Sequence, residues 1–306
     1  MADILKAREN LTFKYKSNLK HENKIVNSEN EILAYLLSRM PATFAVTNNV
    51  FSRADLSSCE SILDLGSGPG TVGFAAIENI DNLKKMTFVE LERNFIEKIK
   101  LLSAFSDNDI LKNSDKFQRD ILNINDIANH DLVTISYVLN ELSSKKQDEL
   151  INKIWQKADK FIVIIETGTP EGYKNIIKAR TKLIELGGFV IAPCPHNNQC
   201  PLVGNDWCHF SQRIERTSYQ KYLKEGSESF EDEKFSYIIV AKEFLDQSSN
   251  SRIIRHPQIH KGHLDLELCT NDGIKNTTFS KKDADYKAVK KLSWGDSLNF
   301  LSSKKN

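Results

Sequence analysis

One short segment, residues 61–71 (SILDLGSGPGT), limits most strongly what this chain can fold into. Its apolar start is interrupted by a single acid, Asp64, and glycines then follow at alternate positions, Gly66, Gly68 and Gly70. The next residues (VGFAAIENI) are apolar with a helical period, so the pattern predicts a buried strand, a tight loop and a helix. Glycine permits positive φ angles and lets a ligand come close to the backbone. The segment therefore predicts a loop that binds a nucleotide.

A second predicted strand, residues 86–91 (MTFVEL), carries an acid, Glu90, near its carboxyl end. Glu90 follows the glycines by about twenty residues, where a carboxylate can accept hydrogen bonds from both ribose hydroxyls of a nucleoside. A dinucleotide-binding loop is the competing interpretation, but its G-x-G-x-x-G pattern requires glycine or alanine where Thr71 stands. The loop and the acid together indicate a nucleoside pocket rather than a turn without a ligand.

Strands and helices alternate along the rest of this region. Further strands are predicted at residues 116–119, 132–138, 161–165 and 235–242. Such alternation is typical of an α/β fold with a mostly parallel sheet, whose ligands bind at the carboxyl edge of the strands. Asn140 and Glu141 follow the fourth strand, so they are candidates either for binding a substrate or for capping a helix.

Length and composition limit the domain organisation and the compartment. A chain of 306 residues with 40% hydrophobic and 27% charged residues can form one large domain and a smaller one. No stretch approaches the roughly eighteen apolar residues of a membrane span, and the first residues, MADILKAREN, have no hydrophobic signal core. We therefore expect no membrane association and a cytoplasmic, bacterial location, with the mitochondrial matrix as the alternative.

The pattern divides the chain into three parts. Residues 1–58 are expected to be helical, with Pro41 stopping a helix, residues 59–248 to form the α/β domain, and residues 249–306 to form a basic β-module. In the last part LDLEL alternates as a strand does, and Asn-Asp-Gly at residues 271–273 is a good hairpin turn. Its lysines and arginines could contact a phosphate backbone or simply form a solvated surface.

A cysteine-rich insertion, residues 193–213, contains Cys194, Cys200 and Cys208 with the spacing C-x5-C-x7-C. In a cytosolic protein such a group is more typical of metal ligands than of disulfides. Prolines follow the first two cysteines and stiffen the turn, as they do beside iron–sulfur ligands. The spacing is not the short C-x2-C of a zinc ribbon. Three buried structural thiols are the alternative.

Three thiolates need a fourth ligand, and the sequence offers two kinds of candidate. Cys269 lies far along the chain, so its binding would clamp the C-terminal segment onto the main domain. His196 or His209 would instead give a site of mixed ligands that suits zinc better. We favour Cys269. The remaining cysteine, Cys59, stands just before the first strand and is expected to be a buried structural thiol.

Several of these motifs resemble those of known families. The run D-L-G-S-G-P-G-T resembles the first motif of class I S-adenosylmethionine-dependent methyltransferases. Combined with C-P-H-x3-C-P, W-C-H-F-x-Q-R and L-C-T-x-D-G, it is similar to the methyltransferase-like family of small-ribosomal-subunit assembly proteins of mitochondria and bacteria. The match extends from about Tyr35 to Ser297 and includes RMPAT at residues 39–43 and WGD at residues 294–296.

The resemblance implies the class I methyltransferase (Rossmann-like) fold and two cofactors. S-adenosylmethionine would lie against the glycine loop, with Asp120 near the adenine amino group and Ile121 against its ring. The implied cofactor-binding residues are Asp64, Gly66, Ser67, Gly68, Gly70, Glu90, Asp120, Ile121 and Ser136. A four-iron, four-sulfur (4Fe-4S) cluster would be bound by Cys194, Cys200, Cys208 and Cys269, with zinc as the alternative metal.

The same resemblance implies a partner and a role. The protein would bind the small ribosomal subunit and act on its rRNA during assembly, and we expect a monomer. Asn140 and Glu141 are the candidate catalytic residues, but Asn140 is not followed by the two prolines and an aromatic residue found in enzymes that methylate amino groups of nucleic acids. Two alternatives stay open: a non-catalytic RNA-binding assembly factor with a structural cluster, and a small-molecule methyltransferase with structural zinc.

Overall fold

The computed structural model describes residues 2–16, 28–223, 228–245 and 250–298 of the chain. The N-terminal part is helical, with α1 at Ala2–Lys16, α2 at Glu29–Ser38 and α3 at Met40–Phe51. Ser28 caps α2, because its hydroxyl oxygen accepts a hydrogen bond from the Glu31 N–H at 3.2 Å.

The helix that contains Ile32 and Leu37 ends shortly before Pro41, as the sequence predicts, and Pro41 also begins the next helix. α2 ends at Ser38, and Pro41 lies in the first turn of α3. Proline fits there because the first N–H groups of a helix have no intrahelical partner to lose. Arg39 therefore stands at the junction of two helices, which lets its side chain reach across to the sheet.

The α/β domain follows these helices. Its first half contains β1 at Ser61–Leu65, α4 at Thr71–Asn79, β2 at Lys85–Glu90, α5 at Arg93–Phe105, α6 at Asp109–Lys112, β3 at Asp115–Gln118 and β4 at His130–Ser136. A 3-10 turn at Leu139–Glu141 leads to α7 at Ser144–Lys157, β5 at Ala158–Thr167, α8 at Pro170–Glu185, β6 at Phe189–Ala192, β7 at Phe210–Glu215, α9 at Ser218–Leu223 and β8 at Phe230–Ala241.

These strands form one mixed, mostly parallel sheet. Its order is β3-β2-β1-β4-β5-β8-β6, and β7 pairs with β8 beside this path. Strands β1 to β5 are parallel, whereas β8 runs antiparallel to both β5 and β6. The chain order reverses between β1 and β4, and at such a point parallel sheets bind ligands. The class I methyltransferase-like, Rossmann-like α/β fold that the sequence predicts is therefore confirmed.

Helices cover both faces of this sheet, which explains its continuous apolar strands. Along β5, Phe161, Val163 and Ile165 pack in a core with α3, α4 and α5, whereas Ile162 and Ile164 pack on the other face with α7 and α8. A strand buried on both faces needs apolar residues at every position rather than at alternate ones. The polar residues inside these strands therefore need a specific reason to be there.

The C-terminal part forms a second, five-stranded sheet with its own apolar core. Its elements are β9 at Ser251–Ile253, β10 at Gln258–Ile259, β11 at His263–Thr270, β12 at Gly273–Ser280, α10 at Tyr286–Val289 and β13 at Ser297–Leu298. Thr270 pairs with Gly273 across the turn, and Gly273 has φ +114°. The predicted hairpin is thus confirmed.

Two arginines join the second sheet to the main domain. Arg252 is buried and donates to the carbonyl oxygens of Pro193 and Gly295, both at 2.9 Å. Arg53, at the end of α3, donates to Gly295 O at 2.9 Å and to the Asp296 carboxylate at 2.7 Å. The cysteine-rich insertion is therefore held between the two sheets. Within the described residues, no helix has the length and apolar character needed to cross a membrane.

Candidate functional site

The glycine loop connects β1 to α4 at the carboxyl edge of the sheet. Gly66, Gly68 and Gly70 have φ angles of +70°, +53° and +85°, which side chains rarely tolerate. A Cβ on Gly66 would also overlap Val138 Cγ2. The loop is anchored to β2, because the Gly66 N–H donates to Val89 O at 2.9 Å. Glycine is therefore required here by both φ and space.

Glu90 fastens the loop from the end of β2. Its carboxylate accepts hydrogen bonds from the Gly68 N–H at 2.7 Å and from the Glu92 N–H at 2.9 Å. Burial raises the pKa of Glu90, and these hydrogen bonds oppose that rise. Each carboxylate oxygen has a second lone pair, so Glu90 could hold the loop and still accept from ribose hydroxyls.

Asp64 lies inside β1 with one of its oxygens unsatisfied. Its Oδ1 accepts from Thr134 Oγ1 at 2.8 Å, whereas Oδ2 is buried without a hydrogen-bond partner. Burial raises the pKa of Asp64 to about 7, and the Glu90 carboxylate adds to the rise. Ser136 Oγ, two residues beyond Thr134 on β4, is likewise buried and unpartnered. Buried polar groups usually have partners, so this edge fits a polar ligand such as a nucleoside.

Tyr137 is a further residue at this edge that the sequence did not indicate. It follows β4 with φ +62°, the one positive φ of a non-glycine residue among the described residues. Its hydroxyl is buried and unpartnered, and burial raises the pKa of the phenol. Strained backbone of this kind concentrates at functional sites. Only its position after a strand could have drawn attention to it.

Tyr35 and Arg39 bring α2 over the loop. The Tyr35 hydroxyl would lie 3.7 Å from a Cβ on Gly68, and burial raises the pKa of Tyr35 to about 12. Arg39 Nη2 lies 3.3 Å from Glu233 Oε1 on β8. The RMPAT motif that contains Arg39 thus ties the N-terminal helices to β8, a role that its spacing alone did not reveal.

Asp120 and Ile121 follow β3, directly after a residue that contacts Glu90. The Arg119 N–H donates to Glu90 O at 3.0 Å, which places this strand end next to that of β2. Asp120 Oδ1 accepts from the Leu122 N–H at 2.8 Å, and Ile121 is buried. The contact of these two residues with an adenine ring stays a prediction.

Asn140 is engaged in a buried network. Its side-chain amide donates to Glu166, and its Oδ1 accepts from Asn175 Nδ2 at 2.9 Å. Glu166 is fully buried and also accepts from the Leu139 N–H at 2.8 Å. These bonds tie the 3-10 turn to β5 and α8, so they give Asn140 a structural role. Glu141, at the end of the same turn, is half-buried, and its catalytic role stays a prediction.

The second candidate site is a cavity lined by all four cysteines that the sequence singled out. Cys194, Cys200 and Cys208 come from the insertion, and Cys269 comes from β11 of the second sheet. Tyr173 Oη lies 3.2 Å from Cys200 Sγ, and His196 Nε2 lies 3.8 Å from Cys269 Sγ. The cavity thus joins cysteines that are separated by as many as 75 positions in the chain. Cys59 is buried elsewhere, in the core beside β1.

The electrostatics of this cavity keep its thiols protonated. Burial raises the pKa of Cys194, of Cys208 and of Cys269, the last to about 12, and neighbouring thiols add to these rises. Arg180 and Arg252 act in the opposite direction at Cys194 and Cys269. Without a metal the thiols would stay protonated, and metal binding would release their protons. Two cations beside the thiols would stabilise the resulting anions.

The spacing of the sulfur atoms bears on which metal group fits. Among the described residues, no three of these sulfurs lie within 4.8 Å of one another. A single tetrahedral zinc ion, with Zn–S bonds of about 2.3 Å, would need sulfurs about 3.8 Å apart. An iron–sulfur cluster holds its thiolates farther apart, because each one binds a different iron. The four thiols therefore line one cavity without the close spacing that a single zinc ion would impose on them.

The two histidines considered as alternative ligands lie at different distances from the cavity. His196 Nε2 approaches Cys269, whereas its Nδ1 is buried without a partner. His209 does not line the cavity; its Nδ1 lies 3.2 Å from Trp207 O, and its ring stacks on Trp207 with a centroid separation of 5.1 Å. His209 therefore belongs to an aromatic stack rather than to the group of converging donors.

Comparison with known sequences gives consistent matches over most of the chain. A family model described as mitochondrial small ribosomal subunit Rsm22 matches residues 29–299. The human mitochondrial ribosome assembly protein METTL17 is 27% identical over 304 residues, which cover 92% of this chain and 65% of that protein. The yeast (Saccharomyces cerevisiae) mitochondrial ribosome assembly protein RSM22 is 24% identical over 212 residues, which cover 37% of this chain and 34% of that protein. The chain thus spans less than two thirds of the length of these relatives.

Solved structures give only remote likenesses. Precorrin-6y C5,15-methyltransferase from Geobacter metallireducens has 18% sequence identity and a TM-score of 0.43, covering 65% of this chain and 85% of that one. Magnesium protoporphyrin IX methyltransferase from Synechocystis has 11% identity and a TM-score of 0.42, covering 79% of this chain and 100% of that one. The fold assignment therefore rests on the strand order given above.

Proposed function

The chain belongs to the Rsm22 family, and on that basis we propose that it is a ribosome assembly protein that binds S-adenosylmethionine and a four-iron, four-sulfur cluster and engages the rRNA of the small subunit. Its curated relatives are named as ribosome assembly proteins of mitochondria, which favours the mitochondrial matrix among the two compartments considered. These relatives are also longer than this chain, so the chain is not assigned everything that the whole relatives do.

The proposed binding of S-adenosylmethionine is supported by the polar edge of the sheet beside the glycine loop. Glu90 accepts from the Gly68 N–H, while Asp64 Oδ2 and Ser136 Oγ are buried and unpartnered. In the proposed complex Glu90 accepts from the ribose hydroxyls, and Asp120 and Ile121 meet the adenine. The neutral form of Asp64, which its raised pKa favours, could donate a hydrogen bond to the ligand.

The cofactor, when bound, would supply an electrophilic methyl group at the carboxyl edge of β4. Two of the described side chains at that edge, Asn140 and Tyr137, are poorly suited to take a proton from a substrate, which leaves Glu141 as the candidate base. The Asn140 amide is bonded to Glu166 and Asn175, and burial keeps the Tyr137 phenol protonated by raising its pKa. This favours the second candidate function, a non-catalytic RNA-binding assembly factor in which the cluster joins two parts of the chain.

The cluster part rests on the four thiols that line one cavity between two sheets. Cys194, Cys200, Cys208 and Cys269 would each bind one iron, and Arg180 and Arg252 would offset the negative charge. A small-molecule methyltransferase with structural zinc is the third candidate, and the sulfur spacing does not favour it. The contact with rRNA is proposed from the family and from exposed lysines in and around α10 of the C-terminal part, which are Lys281, Lys282, Lys287, Lys290 and Lys291.

Calorimetric titration of the full chain with S-adenosylmethionine tests the cofactor assignment. We expect wild-type protein to bind it and Gly68→Arg to lose binding, because an arginine would fill the space beside the loop. Gly262→Arg is the matched control, since a Cβ there meets open space. Equal titration curves for Gly68→Arg and wild type would refute a pocket at this loop.

Assembly of the small subunit in cells separates the first two functions. If Gly68→Arg abolishes cofactor binding yet subunits mature normally, the chain acts as a non-catalytic factor. If subunits then fail to mature while the protein level and cluster are unchanged, the cofactor site itself is needed.

A further inference from the structure

The tip of the β10–β11 hairpin carries two histidines in a fixed arrangement. His260 and His263 flank a two-residue turn, Lys261-Gly262, and the His260 N–H donates to His263 O at 2.9 Å. Residues directly opposite each other in such a hairpin project to the same face of the sheet. The two imidazole rings indeed stack, with centroids 4.5 Å apart and an angle of 19° between their planes.

Asp265 completes a group of three converging donor atoms. It lies two residues after His263 on β11, so its side chain shares the face of His263. Asp265 Oδ2 lies 3.2 Å from His260 Nε2 and 3.6 Å from His263 Nε2. All three donor atoms lie within 4.8 Å of one another, and within the described parts of the chain this is the one group of histidine, cysteine and carboxylate donors so close together.

A neighbouring strand orients the carboxylate. Thr278 pairs with Asp265 across β11 and β12, and its hydroxyl donates to Asp265 Oδ1 at 2.5 Å. This bond engages Oδ1 and leaves Oδ2 turned toward the two histidines. Metal sites in proteins commonly use such a second hydrogen bond to hold a ligating side chain in place.

We propose that His260, His263 and Asp265 form a binding site for a divalent transition-metal ion, of which zinc is the representative case. Two imidazoles and one carboxylate are a ligand set that such ions accept, and three protein ligands leave further positions for water or another oxygen ligand. The side chains are between 37% and 45% exposed, so an ion can reach them from solvent. The site is distinct from the cysteine cavity, because Asp265 and Cys269 are four residues, about 13 Å, apart along β11.

Without a metal the same residues would form an ion pair whenever a histidine is protonated. The two interpretations differ in what the imidazoles bind. A zinc ion requires neutral imidazoles, whereas the ion pair requires a proton on one of them. An ion pair alone would bind no zinc, so zinc binding by the full chain separates the two interpretations.

Equilibrium dialysis of the anaerobic full chain against zinc, followed by metal analysis, tests the proposal. We expect wild-type protein to bind one equivalent more than His263→Asn, and Thr278→Val to bind about tenfold more weakly than wild type. Glu267→Gln, two residues farther along the same face of β11, is the control and should keep the extra equivalent. Any metal bound in the cysteine cavity should be the same in wild type and in the three variants, so it cancels in the comparison.

Cobalt provides a second readout on the same proteins. Cobalt bound at this site should give a visible spectrum without the intense thiolate band, because its ligands are nitrogen and oxygen. The variant that loses the extra equivalent of zinc should also lose this spectrum. Circular dichroism would check that His263→Asn is folded. If that variant is unfolded, His260→Ala would be used in its place. Equal zinc content in wild type and in a folded histidine variant would overturn the proposal.

Discussion

The glycine loop and the cysteine cavity are two polar sites built in opposite ways. The loop site comes from adjacent strand ends of one sheet, and its glycines lie within five consecutive residues. The cavity needs a loop of the main domain and a strand of another sheet, joined through Arg252. The loop site offers carboxylate, hydroxyl and N–H groups, whereas the cavity offers thiols. The difference teaches that the first site can form with the local fold, whereas the second depends on how the two sheets are docked.

The largest expected effect is that of Cys269→Ser. It removes the one thiol of the cavity that comes from the second sheet, so we expect loss of the visible absorption of the cluster under anaerobic conditions. S-adenosylmethionine binding should be retained, because the loop lies in the other sheet. Cys59→Ser, at a buried thiol outside the cavity, should keep the absorption. Equal spectra for Cys269→Ser and wild type would remove the proposed link between the sheets.

Gly66→Ala should have the next largest effect and act on the other site. The new Cβ would overlap Val138 Cγ2 at a φ of +70°, so we expect S-adenosylmethionine binding to weaken at least tenfold, or about 1.4 kcal/mol. The double variant Gly66→Ala/Val138→Ala should recover part of this loss, because Val138 Cγ2 is removed. Calorimetry measures both, and the absorption of the cluster should not change. If the double variant does not recover affinity, the loss in Gly66→Ala comes from the strained φ angle and not from the overlap with Val138.

Asp64→Asn should change the pH dependence of stability. Burial raises the pKa of Asp64 from 3.8 to about 7, so between these values the native state holds a proton that the unfolded chain has released. Stability from this group is therefore full below about pH 4 and is lost as the pH rises through about 7, by at most about 1.4 kcal/mol per unit. The variant should unfold in urea with a weaker pH dependence between pH 5.5 and 7.5.

The control for that measurement is Asp81→Asn, at an exposed position after α4, which should leave the pH dependence unchanged. An Asp64→Asn protein with the same slope as wild type would show that the buried carboxylate is not the group that titrates. That outcome would weaken the account of the loop site and leave the cysteine cavity untouched.

The smallest expected effect is that of Tyr173→Phe in the cavity. Its hydroxyl lies 3.2 Å from Cys200 Sγ, and hydrogen bonds to ligating sulfurs raise the reduction potential of a cluster. We expect the cluster to be retained with a lower potential in anaerobic redox titration, and stability to fall by about 1 kcal/mol. Tyr219→Phe, at an exposed tyrosine, should change neither. An unchanged potential would show that Tyr173 does not contact the metal group.

The difference between a site built from adjacent residues and a site built from distant ones also explains what could be predicted from the sequence. The strand, loop and helix at residues 61–79 follow from contiguous apolar and glycine patterns, so they were predicted correctly. Cysteine spacing pointed to Cys194, Cys200 and Cys208, but only the fold shows that Cys269 reaches the same cavity.

Other features had no local signal. Tyr35 and Arg39 reach the pocket because α2 and α3 pack over the sheet, and Tyr137 takes a strained φ after an ordinary strand. Pro41 marked the end of one helix correctly, but nothing local showed that it also begins the next one, because proline is found at both places. His260 and His263 had no signal of a site in the sequence, since their convergence with Asp265 depends on the hairpin register.

The most direct test of the account is the iron and acid-labile sulfide content of the full chain purified without oxygen. If the four thiols from two sheets bind one cluster, wild-type protein should contain about four iron and about four sulfide per chain, and Cys269→Ser far less of both. Zinc in place of iron, or iron and sulfide contents that do not change in Cys269→Ser, would contradict it.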